Sequence, residues 1–153
     1  MSKALNVGDR APDFFLNAGD GSKVSLKKLR GKKVVLYFYP RDNTPGCTRE
    51  ACSFNENQSK LKRRGAVVLG VSADSAESHE RFAEKFGLTF PLLSDPDRVV
   101  IKAYGVWKEK NMYGKKSMGI ERSTFVIDEK GKIASIFRRV RVDGHTDAVL
   151  AVL

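Results

Sequence analysis

The chain has 153 residues, 41% of them hydrophobic and 30% charged, with a formal net charge of +10. That length suits one domain over 1–153 with a real core, and the composition is ordinary for a soluble globular protein. No apolar stretch approaches the roughly eighteen residues a membrane span needs, and two cysteines are too few for a disulfide framework.

The N-terminal residues, Met1 to Asp9, carry no apolar signal-peptide core, so a cytoplasmic protein is expected. Gly19-Asp20-Gly21-Ser22 is a turn, and Lys23 to Leu26 after it predicts a short strand. The turn is not a nucleotide loop, because no strand-then-helix context surrounds it. Val34 to Tyr39 is Val-Val-Leu-Tyr-Phe-Tyr, ended by Pro40. Such a run of β-branched and aromatic residues predicts a strand buried on both faces. A helix follows from about Pro45 to Arg64, with Thr44 at the N-cap and Pro45 at the first helical position. Ala66 to Ser72 predicts a strand, and Ser75 to Phe86 an amphipathic helix with Phe82 and Phe86 at i,i+4. Leu92-Leu93 is a short strand. Asp97 to Tyr104 is a short helix with Val99, Val100 and Ala103 turned inward. Lys108 to Gly119 is expected to be a mobile loop lining the active-site mouth, with Trp107 either beside it or packed in the core. Ser123–Ile127 and Ile133–Phe137 flank Asp128-Glu129-Lys130-Gly131 and predict a hairpin. His145 to Leu153 closes the chain as a helix with Val149, Leu150 and Leu153 on its apolar face. The alternation of strand and helix gives the α/β class, a central mixed β-sheet flanked by helices.

The chemistry concentrates at Cys47 and Cys52, the only cysteines. Cys47 falls in the first turn of a helix, where free backbone N–H groups and the positive end of the helix dipole favour an anion. An ordinary cysteine, with a pKa of about 8.5, is mostly thiol at neutral pH, and a fall of about two units would make it mostly thiolate. Gly46 beside it removes bulk, so a small substrate can approach. A thiolate alone does not make a fast enzyme, since a less basic sulfur is also less nucleophilic. Fixed donors must also stabilise the departing oxygen, and the candidates are the Thr44 hydroxyl, the Gly46 and Cys47 amides and one arginine from elsewhere. The five-residue spacing adds a constraint. In a regular helix Cys47 and Cys52 lie about 8.6 Å apart at Cα, and a disulfide tolerates about 7 Å at most. A bond between them requires the first turns of the helix to unwind. The alternative is that Cys52 is a packing cysteine and the partner thiol comes from another molecule.

Tyr37 to Thr48, Tyr-Phe-Tyr-Pro-Arg-Asp-Asn-Thr-Pro-Gly-Cys-Thr, resembles the active-site segment of peroxiredoxins, whose Pro-x-x-x-Thr-x-x-Cys core is met by Pro40, Thr44 and Cys47. The detail resembles the bacterioferritin comigratory protein group, or Q type, in which a second cysteine five residues on matches Cys52. The likeness runs from Val7-Gly8-Asp9-Arg10-Ala11-Pro12-Asp13-Phe14 to near the C-terminus and includes an arginine before a buried strand, Arg122-Ser123-Thr124-Phe125-Val126-Ile127. It implies a thioredoxin-like fold with an N-terminal extension. It implies that Cys47 is the peroxidatic cysteine, that Thr44 bonds peroxide and thiolate, and that Arg122 holds the thiolate and polarises the peroxide. Pro40 would shield the sulfur from water. Cys52 would resolve the sulfenic acid to an intramolecular disulfide, reopened by a thioredoxin-type reductant. Glu50, three residues after Cys47, would orient the arginine.

Two other classes compete. A dithiol–disulfide oxidoreductase acting on protein disulfides uses Cys-x-x-Cys, and here four residues intervene. A non-enzymatic basic binding module would use the clusters Lys27-Lys28-Leu29-Arg30, Lys60 to Arg64, Lys108 to Lys116 and Arg138 to Arg141. These fall at element ends and loops without interleaved aromatics, so they are read as solvated faces, and no specific nucleic-acid partner is expected. No cofactor or metal is expected, since His79 and His145 are far apart and the cysteine spacing does not bring two sulfurs together. The expected partners are a hydroperoxide and a dithiol reductant, with a monomer favoured over a stable oligomer.

Overall fold

The computed structural model describes residues 4–153. Its strands are β1 (Phe15–Ala18), β2 (Lys23–Ser25), β3 (Lys33–Phe38), β4 (Ala66–Ser72), β5 (Leu92–Ser94), β6 (Trp107–Met112), β7 (Lys115–Ile120), β8 (Ser123–Ile127) and β9 (Ile133–Phe137). Its helices are α1 (Pro45–Glu56), α2 (Gln58–Arg63), α3 (Ala76–Phe86), α4 (Val99–Ala103) and α5 (His145–Ala151). A short 3₁₀ turn, Lys27–Leu29, follows β2.

Seven strands form one mixed sheet in the order β2-β1-β5-β4-β3-β8-β9, with β3, β4 and β5 parallel and the remaining pairs antiparallel. β3 is central and buried along nearly its whole length. Its alternating side chains feed two cores. Val34, Leu36 and Phe38 join Phe125, Ile127, Ile101 and Tyr104 on one face. Val35, Tyr37 and, just past the strand, Tyr39 join Val126, Phe54 and Val149 on the other. This is the period-two logic of a strand covered on both sides. Pro40 has no N–H to continue the ladder, so the chain leaves the sheet there and turns into α1.

Three expectations are corrected. The helix expected from about Pro45 to Arg64 is two helices, broken at Asn57 (φ −103°, ψ 10°), whose side chain donates to the Ser53 carbonyl at 2.8 Å. Asparagine competes with the backbone for such bonds, and this interrupts the helix. In α4 the inward face is Val100, Ile101 and Tyr104, while Val99 is 68% exposed and Ala103 faces out. Arg98 enters the helix in the left-handed region (φ 62°), and the Asp95 carboxylate accepts from the Ile101 amide at 2.8 Å, which turns the helix by a residue. The segment Lys108 to Gly119 is an antiparallel hairpin of β6 and β7, registered from Trp107↔Ile120 to Met112↔Lys115. Its two-residue turn, Tyr113-Gly114, has φ of 53° and 79°, the type I′ geometry that matches strand twist and favours glycine second. Trp107 is half-buried against the first core, with the Arg98 guanidinium 4.8 Å above its ring.

Candidate active site

The site forms where β3 ends. β8 runs antiparallel to β3 with Phe38 opposite Ser123, so Arg122, just before Ser123, falls beside the start of α1. Its backbone is fixed by the Val140 amide, which donates to the Arg122 carbonyl at 3.0 Å. Thr44 is the N-cap of α1 (φ −93°, ψ 155°) and Pro45 opens the helix. Cys47 then lies in the first turn, where the backbone N–H groups have no partner within the helix. The residue is 1% exposed.

Arg122 joins two groups with one planar fork. Nη2 donates to Cys47 Sγ at 3.2 Å, and Nη1 donates to Glu50 Oε1 at 2.6 Å. Cys47 and Glu50 are one helical turn apart, so both face the same guanidinium. Burial would lower Arg122, but Glu50 and Cys47 hold its pKa above the ordinary value, so it is a permanent cation. Gly46 matters here for what it omits: a Cβ at this position would sit 3.3 Å from Arg122 Nη2 and crowd the fork.

Glu50 is buried, and its Oε2 has no hydrogen-bond partner among the described residues. Burial pushes its carboxyl up to about 7, against the pull of Arg122. Below the ordinary value of 4.5 both folded and unfolded chains hold the proton. As pH rises from there to about 7 the unfolded chain has lost it and the folded chain keeps it, so stability declines, and above about 7 the penalty is complete. Glu50→Gln is expected to flatten this slope by an amount on the order of 1–3 kcal/mol. Urea unfolding of both proteins from pH 5 to 8 checks it, and parallel profiles would contradict it.

Thr44 is at the expected position, but its hydroxyl donates to the Arg41 carbonyl at 3.0 Å and makes no bond to the sulfur among the described residues. Pro40 is half-buried at the end of β3. Cys52 is half-buried on α1 behind the site, a free thiol like Cys47. Burial, with the Glu56 charge adding to it, pushes the Cys52 thiol up. Both cysteines lie within the continuous helix α1, so about 8.6 Å separates their Cα atoms by regular geometry, outside disulfide reach. The second half of α1 leans on α5: Ser53 Oγ and Thr146 Oγ1 share a bond of 2.6 Å, and the Phe54 and His145 rings meet edge to face at 5.9 Å. Burial, then the Arg122 charge, lowers His145 to about 4, so its ring is neutral where it bonds Thr124 Oγ1 at 2.8 Å.

A cysteine at a helix mouth, forked to an arginine that precedes a sheet strand, coincides with a sequence match of residues 7–136 to the AhpC/TSA family. The chain belongs to that family. Within it, the chain is a peroxiredoxin of the Bcp, or Q, type. It is 51% identical over 150 residues to the putative peroxiredoxin bcp of Coxiella burnetii, covering 98% of this chain and 99% of that one. Among solved structures it resembles PrxQ from Xylella fastidiosa at a TM-score of 0.92 and 41% identity, covering 98% and 96% of the two chains. The bacterioferritin comigratory protein of Xanthomonas campestris, described for its alkyl peroxide reduction activity, matches at a TM-score of 0.89 and 44% identity, covering 95% and 96%. The fold is accordingly the thioredoxin-like fold of peroxiredoxins, and the chain is a thiol peroxidase acting on a hydroperoxide with a thiol as reductant. Among the described residues no helix is long and apolar enough to cross a membrane.

One cluster near the site escaped the sequence reading. Asp42, in the loop between β3 and α1, meets His79 of α3 and the Tyr39 hydroxyl in the interior. A histidine on the inner face of an amphipathic helix was the available signal, but nothing in sequence pairs it with an aspartate 37 residues earlier.

Proposed function

We propose that Cys47 reduces hydrogen peroxide and organic hydroperoxides through a sulfenic acid, and that Cys52 resolves it as an intramolecular disulfide. The contact that carries this reading is the 3.2 Å donation from Arg122 Nη2 to Cys47 Sγ at the mouth of α1. The thiolate attacks the outer oxygen of the hydroperoxide. The S–O bond forms as the O–O bond breaks, the sulfur supplies the electron pair, and the departing alkoxide or hydroxide takes a proton to leave as alcohol or water. Charge grows on that oxygen, and the Arg122 guanidinium and the Gly46 and Cys47 amides are the donors aimed at it. The Thr44 hydroxyl already spends its own proton on Arg41, so its oxygen is the acceptor that orients the peroxide O–H. Pro40 closes the site from bulk water. Cys52–SH then attacks the sulfenic sulfur, giving the disulfide and water, after α1 unwinds between residues 47 and 52.

A thioredoxin-type dithiol returns the disulfide to two thiols and becomes oxidised itself. The whole cycle fits a monomeric single domain over 1–153, and a reducing cytoplasm supplies the electrons that keep both thiols available.

The test is a titration of reduced protein with one equivalent of hydrogen peroxide. Both thiols should disappear within seconds, and the mass should show one disulfide within one chain. A protein that ignores peroxide but reduces insulin is a dithiol oxidoreductase, and one that does neither is a binding module. Cys52→Ser is expected to undergo one oxidation at the unaltered rate and then stop, with a trappable sulfenic acid and no turnover with thioredoxin. Normal cycling by Cys52→Ser would assign resolution to another thiol.

A further inference from the structure

The loop that delivers Cys47 hangs on a buried charge cluster. Tyr39 Oη donates to Asp42 Oδ1 at 2.6 Å, and Ser78 Oγ donates to Asp42 Oδ2 at 2.8 Å. His79 Nδ1 lies 2.7 Å from the same Oδ2, and His79 Nε2 lies 2.9 Å from the Leu93 carbonyl of β5. The Asp42 amide donates to Asp74 Oδ2 at 2.8 Å, and Ser72 Oγ of β4 donates to that same oxygen. Loop 40–44 is thereby tied to Tyr39 just past β3, and to β4, β5 and α3, through one residue, three positions before Pro45. Burial would raise the Asp42 carboxyl, but its bonds from His79, Tyr39 and Ser78 hold it below the usual value, so it is a carboxylate.

The bonding also constrains His79, which is fully buried. Each ring nitrogen faces an acceptor, a carboxylate and a carbonyl. The Tyr39 hydroxyl, 3.3 Å from Nδ1, has already given its proton to Asp42, so it presents a lone pair to the ring. A neutral imidazole has one N–H and would leave one acceptor facing a lone pair. Satisfying both acceptors takes two ring N–H groups. The charged groups around the ring are Asp42 and, through the Asp42 amide, Asp74; their ligand atoms and that of His79 lie within 4.8 Å of one another.

We propose that His79 and Asp42 are positioning residues of the peroxidase, a buried ion pair that holds loop 40–44 so that Thr44 and the first turn of α1 meet Arg122 in reacting geometry. Neither touches the sulfur. Their work is to hold the turn against the unwinding that disulfide formation requires, so they favour the oxidation step and oppose the resolving step. This rests on Cys47 being the peroxidatic residue, and wild-type oxidation in the same assay tests that part separately.

Nitrogen–proton correlation spectra of the wild-type protein should show two ring N–H groups on His79; a single one would overturn the assignment. In rapid-mixing experiments Asp42→Asn, checked for folding by near-ultraviolet circular dichroism, should slow Cys47 oxidation about tenfold or more, since small misplacements of reacting groups carry penalties of that order. Its disulfide-forming step should not slow. Ser78→Ala removes one donor and keeps the ion pair, and should move oxidation in the same direction by a few-fold; it decides the matter if Asp42→Asn does not fold. An oxidation rate equal to wild type, or an equal slowing of both steps as general loosening would give, would overturn the proposal.

Discussion

Cys47→Ser is expected to consume hydroperoxide more slowly than wild type by about 10⁴-fold or more, the scale on which removal of a nucleophile acts in other enzymes. The reason is local. A serine hydroxyl does not ionise near neutral pH, and its oxygen cannot accept an oxygen atom from peroxide and hold it as a stable, reducible species. The substitution should leave the fold intact. Cys47 is packed at 1% exposure among Val35, Tyr37 and Ala51 of the second core, and serine is smaller there. Arg122 Nη2 gains an oxygen acceptor in place of sulfur, so the fork to Glu50 survives. Peroxide consumption measured with excess dithiol checks the rate, and a residual activity within tenfold of wild type would remove Cys47 from the chemistry.

Arg122→Ala should slow the first oxidation by about 10²–10³-fold, the usual cost of removing a donor aimed at developing charge. Two contacts vanish together, the one to Cys47 Sγ and the one to Glu50 Oε1. The fold should tolerate this at neutral pH. Glu50, already pushed up to about 7 by burial, loses the cation that was pulling it down and becomes a neutral acid. Above that pH the variant should lose stability faster than wild type, because ionising a buried carboxyl without a partner is costly. Arg122→Lys should recover only part of the rate, since one ammonium cannot hold Cys47 and Glu50 in a fixed fork. Stopped-flow oxidation and urea unfolding across pH report the two effects separately, and an unchanged oxidation rate in Arg122→Ala would exclude the arginine from the site.

Much of this was legible in the sequence because local signals agreed. Val34 to Tyr39 is apolar on both sides of the pleat, Pro40 ends it, and Thr44-Pro45 starts a helix, so β3, the N-terminus of α1 and the place of Cys47 follow from a dozen residues. Arg122 is different. Nothing within its own segment says that it meets Cys47; the resemblance supplied the pairing, and the β3–β8 register explains it. Features decided by tertiary contact were the ones missed. The β6–β7 hairpin carries many charges and little alternation, so its lysines read as a loop, and only the Tyr113-Gly114 turn marked it. The break at Asn57 depends on one side-chain bond. The face of α4 depends on Asp95, outside the helix. The Asp42–His79 pair joins a loop to a helix face, a contact without sequence periodicity.

The proposed catalytic cycle rests on the sulfur of Cys47 taking an oxygen atom from peroxide. Cys52→Ser protein mixed with one equivalent of hydrogen peroxide in the presence of a sulfenic-acid trap, then digested and mapped by mass, tests this directly. The expected result is near-complete trapping on the Cys47 peptide within seconds. Recovery of that peptide unmodified after minutes, with peroxide left in solution, would contradict it.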